Sequence, residues 1–243
     1  MTQRYQASNL TDVLYLREPG DTTAISVNDI HQGNLGDCFL LSSIGELALN
    51  DPSAIRNMIQ ANGNGTETVT LYQSAKGTTP GFHTTQFQPV QVTVTNKFPG
   101  NAVNGGAKQD VVGNKKEIWV QVLEKAYAKI NGGYAGINQG GYPPIAMEEL
   151  TGQHASLLSS HNVSFSQLES YVSAGDLITM DTPSRGGLPF NLVSDHAYMF
   201  EGITMDGGTP MVKLGNPWGF HQPELIPFAS LTQGISEIDV GRI

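Results

Sequence analysis

The stretch Gln32-Gly33-Asn34-Leu35-Gly36-Asp37-Cys38-Phe39-Leu40-Leu41 constrains this chain more than any other, because it holds the one cysteine. A single thiol excludes an internal disulfide, so the fold must stand on its apolar core. The cysteine sits where a glycine-broken loop gives way to Leu40, Leu41, Ile44, Leu47 and Ala48. That spacing predicts a helix with one face in a core. Cys38 then falls at or just before the first turn, where free backbone N–H groups and the positive helix end favour a thiolate. A free cysteine is ordinarily a small buried hydrophobe; this placement argues for a nucleophile.

Composition narrows the partners. With 39% hydrophobic and 14% charged residues, the 243-residue chain is long enough for one large domain or two lobes sharing a cleft. A net charge of −9 argues against nucleic acid or an acidic membrane surface as the main partner. Met1 to Asn9 is too polar for a signal peptide, and no apolar run is long enough to span a bilayer. Either a cytosolic location or export without a classical signal peptide is compatible with this.

Along the chain, Val13 and Tyr15 suggest an arm packed on the first lobe. Asp51-Pro52 reads as a helix start, with Asp51 as cap and Pro52 in the first helical position. Thr66–Gln73 and Val90–Asn96 alternate Thr and Val at period two, which predicts an antiparallel ribbon joined by a loop containing Pro80-Gly81. Asn101–Gly106 reads as another loop. Glu117–Ile130 has helical periodicity closed by Asn131-Gly132-Gly133. A Gly- and Pro-rich linker, Asn138–Pro144, separates a mainly helical first lobe (residues 1–140) from a mainly sheet second lobe (141–243). In the latter, Ser164 and Gln167 are spaced as a capping box, and Leu177–Asp181, His196–Gly202 and Met211–Gly215 read as strands.

Three ordered segments resemble the calpain-like, papain-type cysteine proteases. The first is the Gln32–Leu41 stretch. The second is Trp119-Val120-Gln121-Val122-Leu123-Glu124-Lys125-Ala126-Tyr127-Ala128-Lys129, similar to the helix closing the family's first lobe. The third is Leu192-Val193 with His196-Ala197-Tyr198, followed by Asn216-Pro217-Trp218-Gly219. The resemblance runs from about Asp29 to Gly219 and implies an α+β, papain-like fold: a helical lobe with a small ribbon, an antiparallel-sheet lobe, and an active-site cleft between them. It also implies a protein or peptide substrate. The chain's brevity fits a compact, bacterial type of protease core or the catalytic part of a longer multidomain protein.

Chemistry and resemblance agree on the nucleophile set. A thiolate needs an imidazole to take its proton and a third group to hold the ring's tautomer. The resemblance assigns these roles to Cys38, His196 and Asn216, with the Gln32 amide in the oxyanion hole and Trp218 shielding the His–Asn hydrogen bond. Gly140 or Gly141 corresponds to a glycine on the substrate backbone, the choice depending on one extra residue in the linker, and Asp195 stands where the family has a glycine lining the cleft. No cofactor is required by this chemistry. Asp29 and Glu117 match two ligand positions of a family calcium site, so at most one calcium ion is expected. Glu224, Glu237 and Asp239 do not reproduce the second-lobe calcium loop. Two other readings stand beside hydrolysis: a degenerate peptide-binding module, for which Asp195 is the main argument, and a thiol transamidase or deamidase using the same Cys–His machinery.

Overall fold

The structure, a computed structural model, describes residues 11–74, 86–104 and 111–243. The turn expected at Pro80-Gly81, the residues before Thr11, and Gly105 and Gly106 lie outside the described residues.

Strand β1 (Thr11–Val13) opens the first lobe, and Leu14 and Tyr15 behind it pack on the core as the expected arm. A 3-10 turn at Val27–Asp29, closed by a Ser26–Asp29 capping box, leads to helix α1 (Cys38–Asn50). Helix α2 (Pro52–Met58) starts as read from the sequence: the Asp51 side chain accepts from Ser53 N and Ala54 N, with Pro52 behind it. Strands β2 (Ile59–Ala61), β3 (Thr66–Ser74) and β4 (Phe87–Thr95) form the expected ribbon, in register from Thr66↔Thr95 to Ser74↔Phe87.

Strands β5 (Val111–Val112) and β6 (Lys115–Glu117) precede helix α3 (Trp119–Ile130). The helix therefore starts two residues later than its periodicity indicates. Glu117 is claimed instead by a parallel pairing with Val13, and its carboxylate accepts the N–H of Leu16. Helices α4 (Tyr134–Ile137) and α5 (Pro143–Thr151) follow. The latter uses the linker prolines as its first turn, where a missing N–H is harmless.

Strand β7 (Ala155–Ser159) enters the second lobe, and helix α6 (Phe165–Ala174) carries the Ser164–Gln167 capping box at one end and Gly175 in the left-handed region at the other. Strands β8 (Leu177–Asp181), β9 (Ala197–Asp206), β10 (Thr209–Gly215), β11 (Ile226–Pro227) and β12 (Glu237–Gly241) complete a six-stranded sheet of order β11-β10-β9-β8-β12-β7. The C-terminal strand is thus an interior one, paired on both sides with antiparallel partners.

Two apolar cores result. One gathers α1, α3, α5 and the ribbon; the other lies on the far face of the second sheet, from Leu168 and Met180 to Leu231 and Ile238. Helix α1 belongs to both lobes. Its residues from Phe39 to Ala48 are all buried, and it packs on α5 on one side and on β8 and β9 on the other.

One side chain fastens that seam. The β8–β9 ladder ends at the Thr179–Met199 pair, and beyond it the carboxylate of Glu46 replaces a strand. Its two oxygens accept the N–H groups of Phe200 (2.6 Å) and Ile178 (3.0 Å). Nearby, Ser42 Oγ donates to Ala197 O at 2.9 Å. The helix that carries Cys38 is in this way bonded to the strand that follows His196.

Candidate active site

A cleft of about 1040 Å³ runs between the lobes, with Cys38, Gln32 and Gly141 on one wall and His196, Asp195 and Trp218 on the other. All the residues read from the sequence as nucleophile, base, oxyanion donor and substrate contact meet there, except Asn216, which lies behind His196.

Local geometry decides what the histidine offers. Its backbone is clasped by Thr182, whose hydroxyl accepts His196 N–H and whose own N–H donates to His196 O, each at 3.0 Å. The ring is packed edge-on against Tyr198 (4.9 Å between centroids) and beside Trp218 (4.8 Å). Asn216 Oδ1 lies 3.0 Å from His196 Nε2. The amide has no freedom to turn: its Nδ2 donates to His221 O (3.1 Å), and its Oδ1 also takes the Trp218 N–H (3.0 Å). An oxygen facing the ring requires Nε2 to carry the hydrogen, which leaves Nδ1 as an acceptor. Gln222 completes the clamp by accepting Asn216 N–H at 2.8 Å. His221 and Gln222 had no sequence signal, because their work is done by a carbonyl and by a loop that folds back.

Burial acts on both partners in the direction that favours the neutral form. Burial pushes the Cys38 thiol up to about 11, although the Ala197 N–H pulls the other way. Burial also lowers His196, while Asn216 and Asp195 raise it.

Beside Cys38 lies an acid pair that sequence reading did not single out. Asp37 and Glu124 are wholly buried. Burial pushes Asp37 up to about 6 and, with Asp37 beside it, Glu124 to about 9, so the pair holds one proton near neutrality. Glu124 also accepts Val103 N–H at 2.7 Å. Asn104 and His31 exchange two further bonds, so the 101–104 segment braces the loop of Gln32. Gln32 Nε2 itself donates to Leu35 O at 2.7 Å.

The remaining positions have simple reasons. A Cβ on Gly141 would stand 2.7 Å from the Phe39 ring, so the ring after the nucleophile requires a glycine there. Asp195 adopts φ of 55°, in the left-handed region that glycine and, less often, Asp and Asn occupy. Asp195 is exposed and lines the cleft beside His196.

Asp29 and Glu117 are both buried, away from solvent. Asp29 Oδ2 accepts Ser26 N–H (2.8 Å) and Trp119 Nε1–H (2.9 Å), and Glu117 accepts Leu16 N–H. A cation would have to displace these donors, and no group of three or more His, Cys, Asp or Glu suited to a metal occurs among the described residues. In this structure the two acids brace the arm and the loop against α3.

Comparison with known proteins agrees with this geometry. Residues 18–224 match the family model described as calpain family cysteine protease. The chain is 30% identical to human calpain-9 over 211 residues, covering 79% of this chain and 28% of that protein. It is 31% identical to the human calpain-2 catalytic subunit over 208 residues, with 79% and 28% covered. Against the maize calpain-type cysteine protease DEK1 it is 28% identical over 212 residues, 80% of this chain and 9% of that one. The chain therefore spans less than a third of the length of these relatives. Cleft, clamped histidine and sequence match converge, and the chain belongs to the calpain family of cysteine proteases.

Proposed function

We propose that this chain hydrolyses peptide bonds in proteins through Cys38, His196 and Asn216. The observation that carries the reading is the fixed Asn216 amide, which commits His196 Nε2 to donation and leaves Nδ1 to take a proton. A structural histidine would not need its amide partner held in turn by His221 O, Trp218 N–H and the Gln222 side chain.

With substrate in the cleft, Nδ1 of His196 accepts the thiol proton as the Cys38 sulfur attacks the carbonyl carbon. Because burial favours the neutral form of both, this is a transfer within the step. Charge on the carbonyl oxygen falls to the Cys38 backbone N–H, free at the first turn of α1, and to the Gln32 amide once it releases Leu35 O. The imidazolium then protonates the leaving amine. Water, deprotonated by the same ring, resolves the thioester. Trp218 covers the His196–Asn216 bond, where exclusion of water strengthens it. Asp195 is exposed where it lines the cleft, and a module that binds without cutting is the reading that the cleavage test below decides for or against.

The test is cleavage of an unfolded protein by the chain and by Cys38→Ala and His196→Ala. Both variants are expected to lose cleavage and to keep their urea midpoints to within a small shift. Undiminished cleavage by Cys38→Ala would overturn the reading.

A further inference from the structure

The second-lobe wall of the cleft carries acids that the hydrolysis does not use. Strand alternation puts them together. Asp181 stands opposite Glu237 and Thr179 opposite Asp239 in the β8–β12 ladder, so all four side chains leave the same sheet face. Ile178, Met180 and Ile238 leave the other face, into the second core. The acid-bearing face looks toward α1, and its Asp181–Glu237 end opens into the cleft beside Cys38.

These acids lack a complement. Asp239 is wholly buried; Thr179 Oγ1 donates to its Oδ2 at 3.0 Å, while its Oδ1 has no hydrogen-bond partner other than the Asp181 carboxyl it lies against. Asp181 Oδ1 is in the same position. Among the described residues, no lysine or arginine lines the cleft. Arg185, close by in sequence, instead donates Nη2 to Gln233 O at 2.7 Å. A buried carboxyl without a donor is unfavourable unless something supplies one.

We propose, resting on the peptidase reading, that Asp181, backed by Asp239 and flanked by Glu237 at the rim, forms a subsite for a basic side chain of the substrate. A guanidinium or ammonium entering beside the scissile carbonyl brings the several N–H donors these oxygens lack. Asp181 is also faced by Cys38 from α1, and His196 and Asp195, ahead of β9, line the same cleft; burial holds the His196 imidazole toward its neutral form, so none is a competing cation. Burial, with Glu237 adding to it, holds Asp181 up at about 8. A bound cation lowers it, so binding releases a proton and tightens as pH rises toward 8.

The experiment uses fluorogenic peptides with Arg, Lys, Leu or Glu at each of three positions before the cleaved bond. Beside them run peptidyl diazomethyl ketones of matched sequence, scored by the mass of the Cys38 adduct. At one position Arg or Lys is expected to exceed Leu by at least tenfold in kcat/KM and in labelling rate. Asp181→Asn, and to a lesser degree Glu237→Gln, is expected to erase that margin. Glu237, partly exposed, keeps the test open if Asp181→Asn fails to fold. Cleavage with no basic preference, or a preference that survives both substitutions, overturns the subsite and leaves the peptidase standing. Labelling that prefers Arg, with no peptide cleaved, supports the subsite and overturns the peptidase. Absence of both overturns both.

Discussion

Replacing Glu46 by alanine strips the Ile178 and Phe200 N–H groups of the carboxylate that accepts them, deep in the seam between α1 and the second sheet. Each buried donor left unpaired costs roughly 1–3 kcal/mol, so Glu46→Ala is expected to lose about 2–6 kcal/mol. Glu46→Gln keeps one acceptor and turns an NH2 toward the other donor, for a loss of about 1–3 kcal/mol. The pH dependence separates this from simple loss of packing. Burial raises Glu46 from 4.5 to about 8, so its contribution to stability is complete below 4.5 and declines as pH climbs through about 8. The glutamine does not titrate, and its deficit against the parent should shrink between pH 5 and pH 8.5. Urea unfolding followed by Trp119 and Trp218 fluorescence at both pH values measures this. A Glu46→Ala loss under about 1 kcal/mol, or a glutamine deficit that grows with pH, would refute the argument that this carboxyl acts as the end of a strand.

Asn216→Ala frees the imidazole without removing it. A positioned base is worth roughly 10²–10⁴-fold, and kcat is expected to fall toward the lower end of that range with KM little changed. A large rise in KM alone would count against a tautomer-holding role. Because the Cys38 thiol is pushed up to about 11 in the empty cleft, its alkylation by iodoacetamide should keep accelerating above pH 9. A plateau reached below pH 7 would mean a resting thiolate–imidazolium pair. Chelator and added calcium should leave cleavage and the urea midpoint unchanged, since Asp29 and Glu117 already serve N–H donors. A shift of the midpoint on chelation would restore these acids as ligands.

Much of the site was legible because catalysis constrains residue types along the chain. The Cys38 loop, the Asn216-Pro217-Trp218-Gly219 turn and the ribbon of β3 and β4 carry local chemistry that one sequence displays. What stayed hidden depends on partners distant in sequence. Helix α5 was masked by a Gly- and Pro-rich opening that reads as a linker, although its prolines occupy a first turn. The interior strand β12 gave no signal, because Glu237 and Asp239 make it look too acidic for a sheet.

That last failure and the proposed subsite share one cause. Acids at alternate positions of an interior strand are unfavourable for folding unless the face they share is spared the apolar core. On β12 that face opens at one end into the cleft, while Ile238 and Val240 on the opposite face satisfy the second core. Local propensity and global placement therefore disagree at Glu237 and Asp239, and such disagreement tends to collect where a chain trades stability for binding. The same reasoning applies to Glu46, Asp37 and Glu124, each a buried acid within or beside the helix that presents Cys38. The first is satisfied by backbone donors; Asp37 and Glu124 lie against one another and, like Asp181 and Asp239, keep buried oxygens with no other hydrogen-bond partner. Asp181 and Asp239 differ in where they stand: one end of their sheet face, at Asp181 and Glu237, opens into the cleft, where a donor can arrive.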